Sequence, residues 1–381
     1  MITVLTFYER ISLYHTMLPF FLKNHEIKKR TGKNFFYFTQ SAAWCLKHDR
    51  NDILFMERCF QHREPRDMEE EDFLLLGKLR DKYKTIVFFC GQPEAGNNRM
   101  DILPYVNKLF YKSVFSNRTD YTKSMYAKNL FADYYHRNYG VKDNPEYIMK
   151  REISLEEANR PELSWNIGLG TYPRWHWPQR LGAILARASL YGIGRLVGGK
   201  PLSRAKSPGF LSAKGPPDFS ATGRKIAVNA RIDPVVCPSI AFQRRHFLET
   251  IEGFKTQKRE LFLTGLVPQA QYYRELLDSK IVLSPFGWGE VCFRDFETIL
   301  SGALLFKPDM SHLHTWPNVY IPNETYIPLK WDCSDLLEKA EYYLNDEKER
   351  GRIAHNAFEQ YRKELSGLST RFDQLLGEYY L

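Results

Sequence analysis

The chain has 381 residues, of which 43% are hydrophobic and 15% aromatic, a composition that suits globular cores and argues against a disordered protein. Lys and Arg outnumber Asp and Glu by 54 to 45, and the net charge of +9 favours anionic partners: nucleotide phosphates, nucleic acid or an anionic membrane surface. The length predicts two domains of ordinary size, and no apolar run approaches the roughly 18 residues of a membrane-spanning helix.

Strands alternate with helical segments in the first half of the chain. Apolar runs predict strands at residues 2–7, 34–39 and 85–90. An acidic-then-basic segment, 69–83, predicts a helix, and the Tyr-rich segment 105–139 predicts a pair of helices packed by aromatic rings. The alternation indicates an α/β domain with a mostly parallel sheet, over residues 1–190.

The segment 163–217 contains no acidic residue. Its eight bases are Arg174, Arg180, Arg187, Arg195, Lys200, Arg204, Lys206 and Lys214. Three interpretations stay open: an amphipathic segment that docks the protein on an anionic membrane, a path that guides anionic substrates, or a solvated connection. Residues 191–222, rich in Gly, Pro and Ser, are predicted to be a linker.

The cysteines and the first residues favour a reducing compartment. None of the six cysteines forms a CxxC pair or has His partners at metal spacing, so reduced thiols are expected. Glu9 and Arg10 interrupt the first apolar run, which therefore lacks the shape of a signal peptide. The predicted location is cytoplasmic, with the inner face of the membrane as an alternative place.

A second α/β unit is predicted over residues 223–350. Its strands are expected at 225–230, 260–264, 281–283 and 303–306, and a helix at 242–253. After the third of these strands, Gly287 and Gly289 mark a turn, and a helical pattern runs from Glu290 to about Gly302. Free backbone N–H groups at the start of such a helix form a ready site for phosphate.

Polar residues of this helical pattern fall on one stripe. At about 100° per residue, Glu290, Arg294, Glu297 and Ser301 lie within roughly 60° of each other. A guanidinium suits phosphate oxygens and a carboxylate suits sugar hydroxyls, so the stripe predicts a nucleotide-sugar site. The alternative is an ordinary amphipathic helix with ion pairs between Arg294 and its flanking glutamates.

This strand, Gly-rich turn and helix, followed by SGALLF and a Pro, resembles the donor-sugar motif of GT-B glycosyltransferases. The R-x-x-E of Arg294 and Glu297, with the small-residue turn and apolar strand after it, is similar to the exostosin-like family and to the C-terminal donor domain of family 1-like enzymes. The E-x7-E motif of many retaining enzymes has one residue more between its acids than Glu290 and Glu297 have. The resemblance covers roughly residues 225–345.

The resemblance implies an α/β fold of GT-B type. Two Rossmann-like domains would face each other across a cleft, and a C-terminal helix, residues 351–381, would cross back to the first domain. It also implies that Arg231 and Arg244 contact the donor diphosphate and that Asp309 lies at the ligand edge of the second sheet. Because the chain lacks an Asp-x-Asp triplet, no metal is expected, and the nucleotide sugar is a substrate rather than a cofactor.

An inverting transferase needs a general base that deprotonates the acceptor hydroxyl. Glu94 and Asp101 follow the strand at 85–90, at the edge where open α/β sheets bind ligands, and are the candidates. Either residue is otherwise a plain surface acid. The sequence leaves inversion and retention open.

The predicted function is therefore transfer of a hexosyl or deoxyhexosyl group to a glycan or lipid-linked acceptor in surface polysaccharide synthesis, such as lipopolysaccharide O-antigen or capsule. Peripheral association with an anionic membrane is a further expectation. The alternatives are a basic nucleic-acid-binding protein, or a nucleotide-sugar hydrolase or epimerase on the same fold. No RRM, KH, zinc-finger or helix-turn-helix motif is present, so no nucleic-acid partner is expected.

Overall fold

Two parallel β-sheets, one in each half of the chain, form the framework of the protein in the computed structural model. The structure describes residues 1–6, 15–57, 68–91, 95, 100–127, 129–144, 146, 148–149, 153–169, 217–220, 223–234 and 237–380. The strands are β1 (Ile2–Leu5), β2 (Phe36–Thr39), β3 (Ile53–Glu57), β4 (Thr85–Cys90), β5 (Lys108–Tyr111), β6 (Ser113–Phe115), β7 (Met125–Tyr126), β8 (Ile148–Met149), β9 (Pro161–Leu163), β10 (Ile226–Asn229), β11 (Phe262–Leu263), β12 (Ser279–Leu283), β13 (Leu304–Pro308), β14 (Leu313–Thr315) and β15 (Ile327–Leu329).

Helices connect these strands. The α-helices are α1 (Leu18–Thr31), α2 (Ala42–His48), α3 (Glu70–Lys82), α4 (Leu130–Tyr139), α5 (Leu155–Asn159), α6 (Pro238–Glu252), α7 (Thr256–Arg259), α8 (Gln269–Leu277), α9 (Phe293–Ser301), α10 (Leu336–Asn345), α11 (Glu347–Ser366) and α12 (Leu368–Leu376). Short 3-10 helices cover Met100–Tyr105, Arg118–Thr122, Ile167–Leu169 and Gly377–Tyr379.

The two sheets share the order of their first five strands, and the first sheet has a sixth. The first sheet runs β2-β1-β3-β4-β5-β9 and the second runs β11-β10-β12-β13-β15, and all neighbouring strands within each sheet are parallel. Each sheet therefore changes winding direction beside its first strand, and the carboxyl ends at such a switch point form a ligand crevice. The predicted α/β fold of GT-B type, with two Rossmann-like domains, is confirmed.

The first sheet is buried on both faces. Successive side chains of a strand point to opposite faces, and here Val87 and Phe89 enter the core beneath α1 while Ile86 and Phe88 enter the core on the other side. An apolar run such as TIVFFC is what a strand with two covered faces requires.

The two halves share one core and one pair of strands. Phe286, Val291 and Phe296 of the second half pack in the same buried cluster as residues of the first sheet. Strand β14 also pairs antiparallel with β6, so that Leu313 lies opposite Phe115. These contacts fix how the carboxyl ends of the two sheets face each other.

The chain returns to the first half at its C-terminal end. Helix α11 packs on α9 and β13, whereas α12 packs on α1 and places Phe372 and Leu376 in the core of the first sheet. Arg371 also donates a hydrogen bond to the carbonyl oxygen of Leu163, at 2.5 Å. The predicted crossing is confirmed, but two helices make it, and they meet at Gly367.

The prediction of a helix pair at 105–139 is wrong. This segment contains β5, β6 and β7, and only its last part, α4, is an α-helix. Its aromatic residues mark an interior strand, because β5 lies between β4 and β9 with Phe110 and Tyr111 buried. The predicted domain boundaries at 190 and 222 fall in or beside residues 170–216, outside the described residues, and stay predictions. No helix within the described ranges has the length and apolar character needed to cross a membrane.

Candidate functional site

A cleft of about 990 Å³ lies where the carboxyl ends of the two sheets face each other. The first half contributes Gly91, Lys112 and Ile167 to its lining. The second half contributes most of the wall, including Arg231, Asp233, Arg244, Leu266, Tyr272, Tyr273, Ser284, Gly287, Trp288, Gly289, Cys292, Phe293, Arg294 and Glu297. A volume near the upper end of the usual range for ligand sites suits an elongated ligand.

The glycine turn (residues 284–292) separates β12 from α9. Helix α9 begins at Phe293 rather than at Glu290, because the Asp295 carboxylate accepts a hydrogen bond from the backbone N–H of Cys292, at 2.9 Å, and caps the helix there. Its end at Gly302, in the left-handed conformation at φ 76°, is as predicted. Glu290 therefore belongs to the turn, and the prediction that it shares a helical stripe with Arg294 is wrong.

Asp295 is the centre of a buried network that the sequence analysis missed. The carboxylate is fully buried and accepts hydrogen bonds from Ser284 Oγ at 2.5 Å and Tyr320 Oη at 2.7 Å. Lys307 Nζ lies 3.0 Å from it and is also fully buried. Burial, together with this carboxylate, raises the pKa of Tyr320 well above its usual value. The single Lys in the apolar strand LLFKP could have indicated this network, since a buried ammonium group requires an anionic partner.

Two arginines converge on the glycine turn. Arg244 donates from Nε to the carbonyl oxygen of Phe286 and from Nη1 to that of Asp233, each at 2.8 Å. Arg294 donates from Nη1 to the carbonyl oxygen of Leu283 at 3.3 Å and lies over the ring of Tyr272, 5.8 Å from its centroid. Within the described part of the chain neither guanidinium forms a salt bridge, and burial lowers the pKa of Arg244. The pair is therefore a cationic centre without a bonded carboxylate.

Gly287 allows this close approach. A Cβ atom at this position would lie 2.9 Å from Nη2 of Arg244, closer than real Cβ contacts allow. The turn thus brings its backbone against the guanidinium.

Arg231 also lines the cleft, but its charge is paired. Its Nε and Nη2 donate to the two carboxylate oxygens of Glu275, at 2.8 and 2.9 Å, in the bidentate geometry of strong ion pairs. The same bond holds the pKa of Glu275 below its usual value. The backbone carbonyl of Arg231 accepts a hydrogen bond from Nη2 of Arg294. Arg231 thus orients Arg294.

Glu297 lies on the cleft wall next to Arg294. Its carboxylate accepts hydrogen bonds from the hydroxyls of Tyr272 and Tyr273, each at 3.2 Å. Burial raises the pKa of Glu297, while the two tyrosines and Arg294 act in the opposite direction. The structure thus brings Arg294 and Glu297 together in the cleft, as their predicted stripe required.

Other predicted site residues lie elsewhere. Glu290 is fully buried and faces the first half: Oε2 accepts from the backbone N–H of Ala95 at 3.4 Å, and Oε1 lies 3.9 Å from Nε2 of His312. Asp309 accepts hydrogen bonds from the hydroxyls of Ser311 and Tyr326 and does not line the cleft.

The two predicted bases are not brought to the cleft by any described contact. Asp101 is exposed and absent from the lining, and Glu94 lies outside the described residues. In the ranges given above, no group of three or more His, Cys, Asp and Glu side chains comes together as a metal site would. The role of a base stays a prediction for both acids.

Part of the second half is similar to a known family of proteins. Residues 244–377 match the family model described as glycosyl transferase-like. No curated protein matches the chain. Similar solved structures include an alpha-glucosyltransferase in complex with UDP and a 13-mer DNA containing a HMU base, with a TM-score of 0.45, 9% identity, and coverage of 99% of this chain and 98% of that chain.

Two further similar structures are trehalose-phosphate synthases. The enzyme described as alpha,alpha-trehalose-phosphate synthase (UDP-forming) from Burkholderia vietnamiensis has a TM-score of 0.40 and 10% identity, over 88% of this chain and 77% of that chain. The one from Burkholderia xenovorans, in complex with glucose-6-phosphate, has a TM-score of 0.41 and 11% identity with the same coverage. The expected absence of a nucleic-acid partner stays a prediction. Residues 244–377, which contain the glycine turn, α9 and Arg294, are thus similar to glycosyl transferase-like proteins, and the two facing parallel sheets have the GT-B architecture.

Proposed function

We propose that the protein transfers a sugar from a nucleotide-sugar donor to a hydroxyl of a glycan or lipid-linked glycan. The observation that carries the proposal is the pair Arg244 and Arg294, two guanidinium groups without salt bridges among the described residues, beside the glycine turn of a 990 Å³ cleft. These two guanidinium groups lack an anionic partner, and a donor diphosphate would supply one. Guanidinium groups bind phosphate oxygens well.

The start of α9 supports the same placement of the diphosphate. Partial positive charge at a helix N-terminus favours an anion, and Arg294 lies in the first turn of this helix. Glu297, one turn further, is held by two tyrosine hydroxyls and would accept hydrogen bonds from ribose or sugar hydroxyls. Arg231 would act indirectly, by orienting Arg294.

We further propose that the reaction does not require a divalent metal. The two arginines and the helix terminus would neutralise the departing diphosphate, and the sequence has no Asp-x-Asp triplet. Lys112 adds a positive charge from the first half of the cleft. The acceptor would enter from this side. Glu94 and Asp101 remain the candidate bases by their place in the sequence.

A role in surface polysaccharide synthesis, with a hexosyl or deoxyhexosyl donor, is the finer part of the proposal. It rests on the net charge of +9 and on the acid-free segment 163–217, most of which lies outside the described residues. Sedimentation with vesicles tests the membrane expectation: binding should be strong to anionic vesicles, weak to neutral ones and reduced by salt. Equal sedimentation with both kinds of vesicle, or no sedimentation with either, would indicate that the segment is only a connection between the two halves.

A thermal-shift panel of UDP, GDP, CMP and ADP sugars tests the function directly. One nucleotide sugar and its nucleoside diphosphate should stabilise the protein, whereas the matching nucleoside without phosphates should not, because the proposed contacts are made to the diphosphate. The selected donor is then incubated with glycan acceptors and the products are analysed. Glycosylated product supports the proposal, free sugar alone favours a hydrolase, and the absence of any selective stabilisation contradicts it.

A further inference from the structure

Trp288 is an exposed aromatic residue inside the cleft. Its side chain is 58% exposed, and Leu266, another of the most exposed apolar side chains, is 65% exposed and lines the same cleft. Apolar side chains that stay open in a ligand cleft indicate a surface that a ligand covers.

Trp288 differs from other tryptophans of the described part of the chain in its contacts. It makes no hydrogen bond from Nε1 and no ring contact there. Other tryptophans differ: Trp165 stacks on Phe89 at 5.5 Å, and Trp331 packs against Phe286 and donates from Nε1 to the carbonyl oxygen of Asp309. Trp288 thus keeps both its apolar face and its N–H donor available.

The backbone beneath Trp288 is fixed. The N–H of Gly287 donates to the carbonyl oxygen of Gly289 at 2.9 Å, and the N–H of Phe286 donates to the side chain of Gln243 at 2.8 Å. The two adjacent residues, Gly287 and Gly289, have no side chains. A turn whose backbone is already ordered loses little backbone entropy when a ligand covers it.

Trp288 also lies where the two halves meet. Gly287, the preceding residue, approaches Arg244, and Glu290, two residues later, accepts the hydrogen bond from Ala95 of the first half. The segment that carries Trp288 therefore runs from the proposed diphosphate site to the half of the protein from which the acceptor would enter, and Trp288 lines the cleft between them.

We propose that Trp288 is the platform on which the sugar ring of the acceptor stacks, an inference that rests on the proposed function and deepens it. A pyranose has a face of C–H groups and a rim of hydroxyls, and an indole offers an apolar face with one N–H donor at its edge. The acceptor at this position is therefore a pyranoside, and its ring covers Trp288 while the diphosphate stays on Arg244.

Calorimetric titration tests the platform. Methyl α- and β-pyranosides of glucose, galactose, mannose and N-acetylglucosamine are titrated into protein saturated with the nucleotide that stabilises it most. At least one should bind the wild type, Trp288→Ala should weaken it about tenfold or more, and Trp288→Phe should weaken it less because a ring remains. Tyr342→Ala is the matched control, since this tyrosine on α10 is 56% exposed and does not line the cleft.

The nucleotide affinity separates this inference from the proposed function. It should be the same in the wild type and in Trp288→Ala. If Trp288→Ala loses as much nucleotide affinity as glycoside affinity, the indole belongs to the donor site and the inference is wrong. Unchanged glycoside affinity in Trp288→Ala would also overturn the inference. So would the absence of glycoside binding to the nucleotide-saturated wild type. Absence of nucleotide binding to the wild type would contradict the proposed function itself.

Discussion

Replacement of Lys307 by Met probes the buried network that holds the glycine turn. The ammonium group and the Asp295 carboxylate are both fully buried, with 3.0 Å between them. Removal of one partner of such a pair costs about 3–5 kcal/mol of unfolding free energy, because the other charge stays buried. Asp295 would keep three hydrogen bonds from Ser284, Cys292 and Tyr320, so a loss at the lower end, about 3 kcal/mol, is expected.

Urea unfolding of Lys307→Met and of Lys84→Met gives the comparison. Lys84 pairs with Asp52 on the surface, where the two side chains are 78% and 64% exposed, and loss of such a pair costs about 0–1 kcal/mol. The double variant Asp295→Asn with Lys307→Met should lose less than the sum of its single variants, since no unpaired charge remains. If Lys307→Met is as stable as Lys84→Met, the network does not hold the turn and the reasoning fails.

Three further predictions concern protonation and metal. Burial raises the pKa of Glu297 above its usual 4.5, so the folded state loses stability as the pH rises from about 4.5 through the raised pKa. Urea titrations of Glu297→Gln at several pH values should not show this loss, and the variant should have a lower donor turnover. If the pH dependence of stability is the same in Glu297→Gln and in the wild type, the argument is wrong. Burial, with the charge of Lys112, lowers the pKa of His15 from 6.5 to about 3. The wild type should therefore lose up to about 1.4 kcal/mol of unfolding free energy per pH unit as the pH falls from 6.5 to 3, and His15→Gln should lose less over this interval. Equal acid sensitivity of the two proteins would count against a neutral, buried His15. Excess EDTA should leave most of the transfer rate, whereas abolition with rescue by magnesium or manganese would reverse the proposal of metal independence.

Local features of the site could be predicted from the sequence. The order of strand, Gly-rich turn and helix follows from apolar runs and glycine positions, and the helical period places Arg294 and Glu297 on one side whatever the surrounding fold is. The same reasoning placed the start of the helix too early, because the capping contact between Asp295 and Cys292 determines it.

Contacts between distant elements could not be predicted in this way. Lys307 and Asp295 lie on different elements, and Arg231 pairs with Glu275 on α8, 44 positions away. Nothing in the local pattern shows that Lys112 reaches the cleft from the first half. These placements follow from the parallel sheet order and from the packing of one half against the other.

Binding of the selected nucleoside diphosphate to Arg244→Ala, Arg294→Ala and Arg245→Ala, measured by calorimetry, tests the central claim most directly. Charge-assisted hydrogen bonds contribute about 1.5–3 kcal/mol each, so the first two variants should lose at least about tenfold in affinity. Arg245→Ala should bind like the wild type, because this neighbour on α6 does not line the cleft. Full affinity in Arg294→Ala and Arg244→Ala, or the same loss in all three variants, would contradict the placement of the donor diphosphate at the glycine turn.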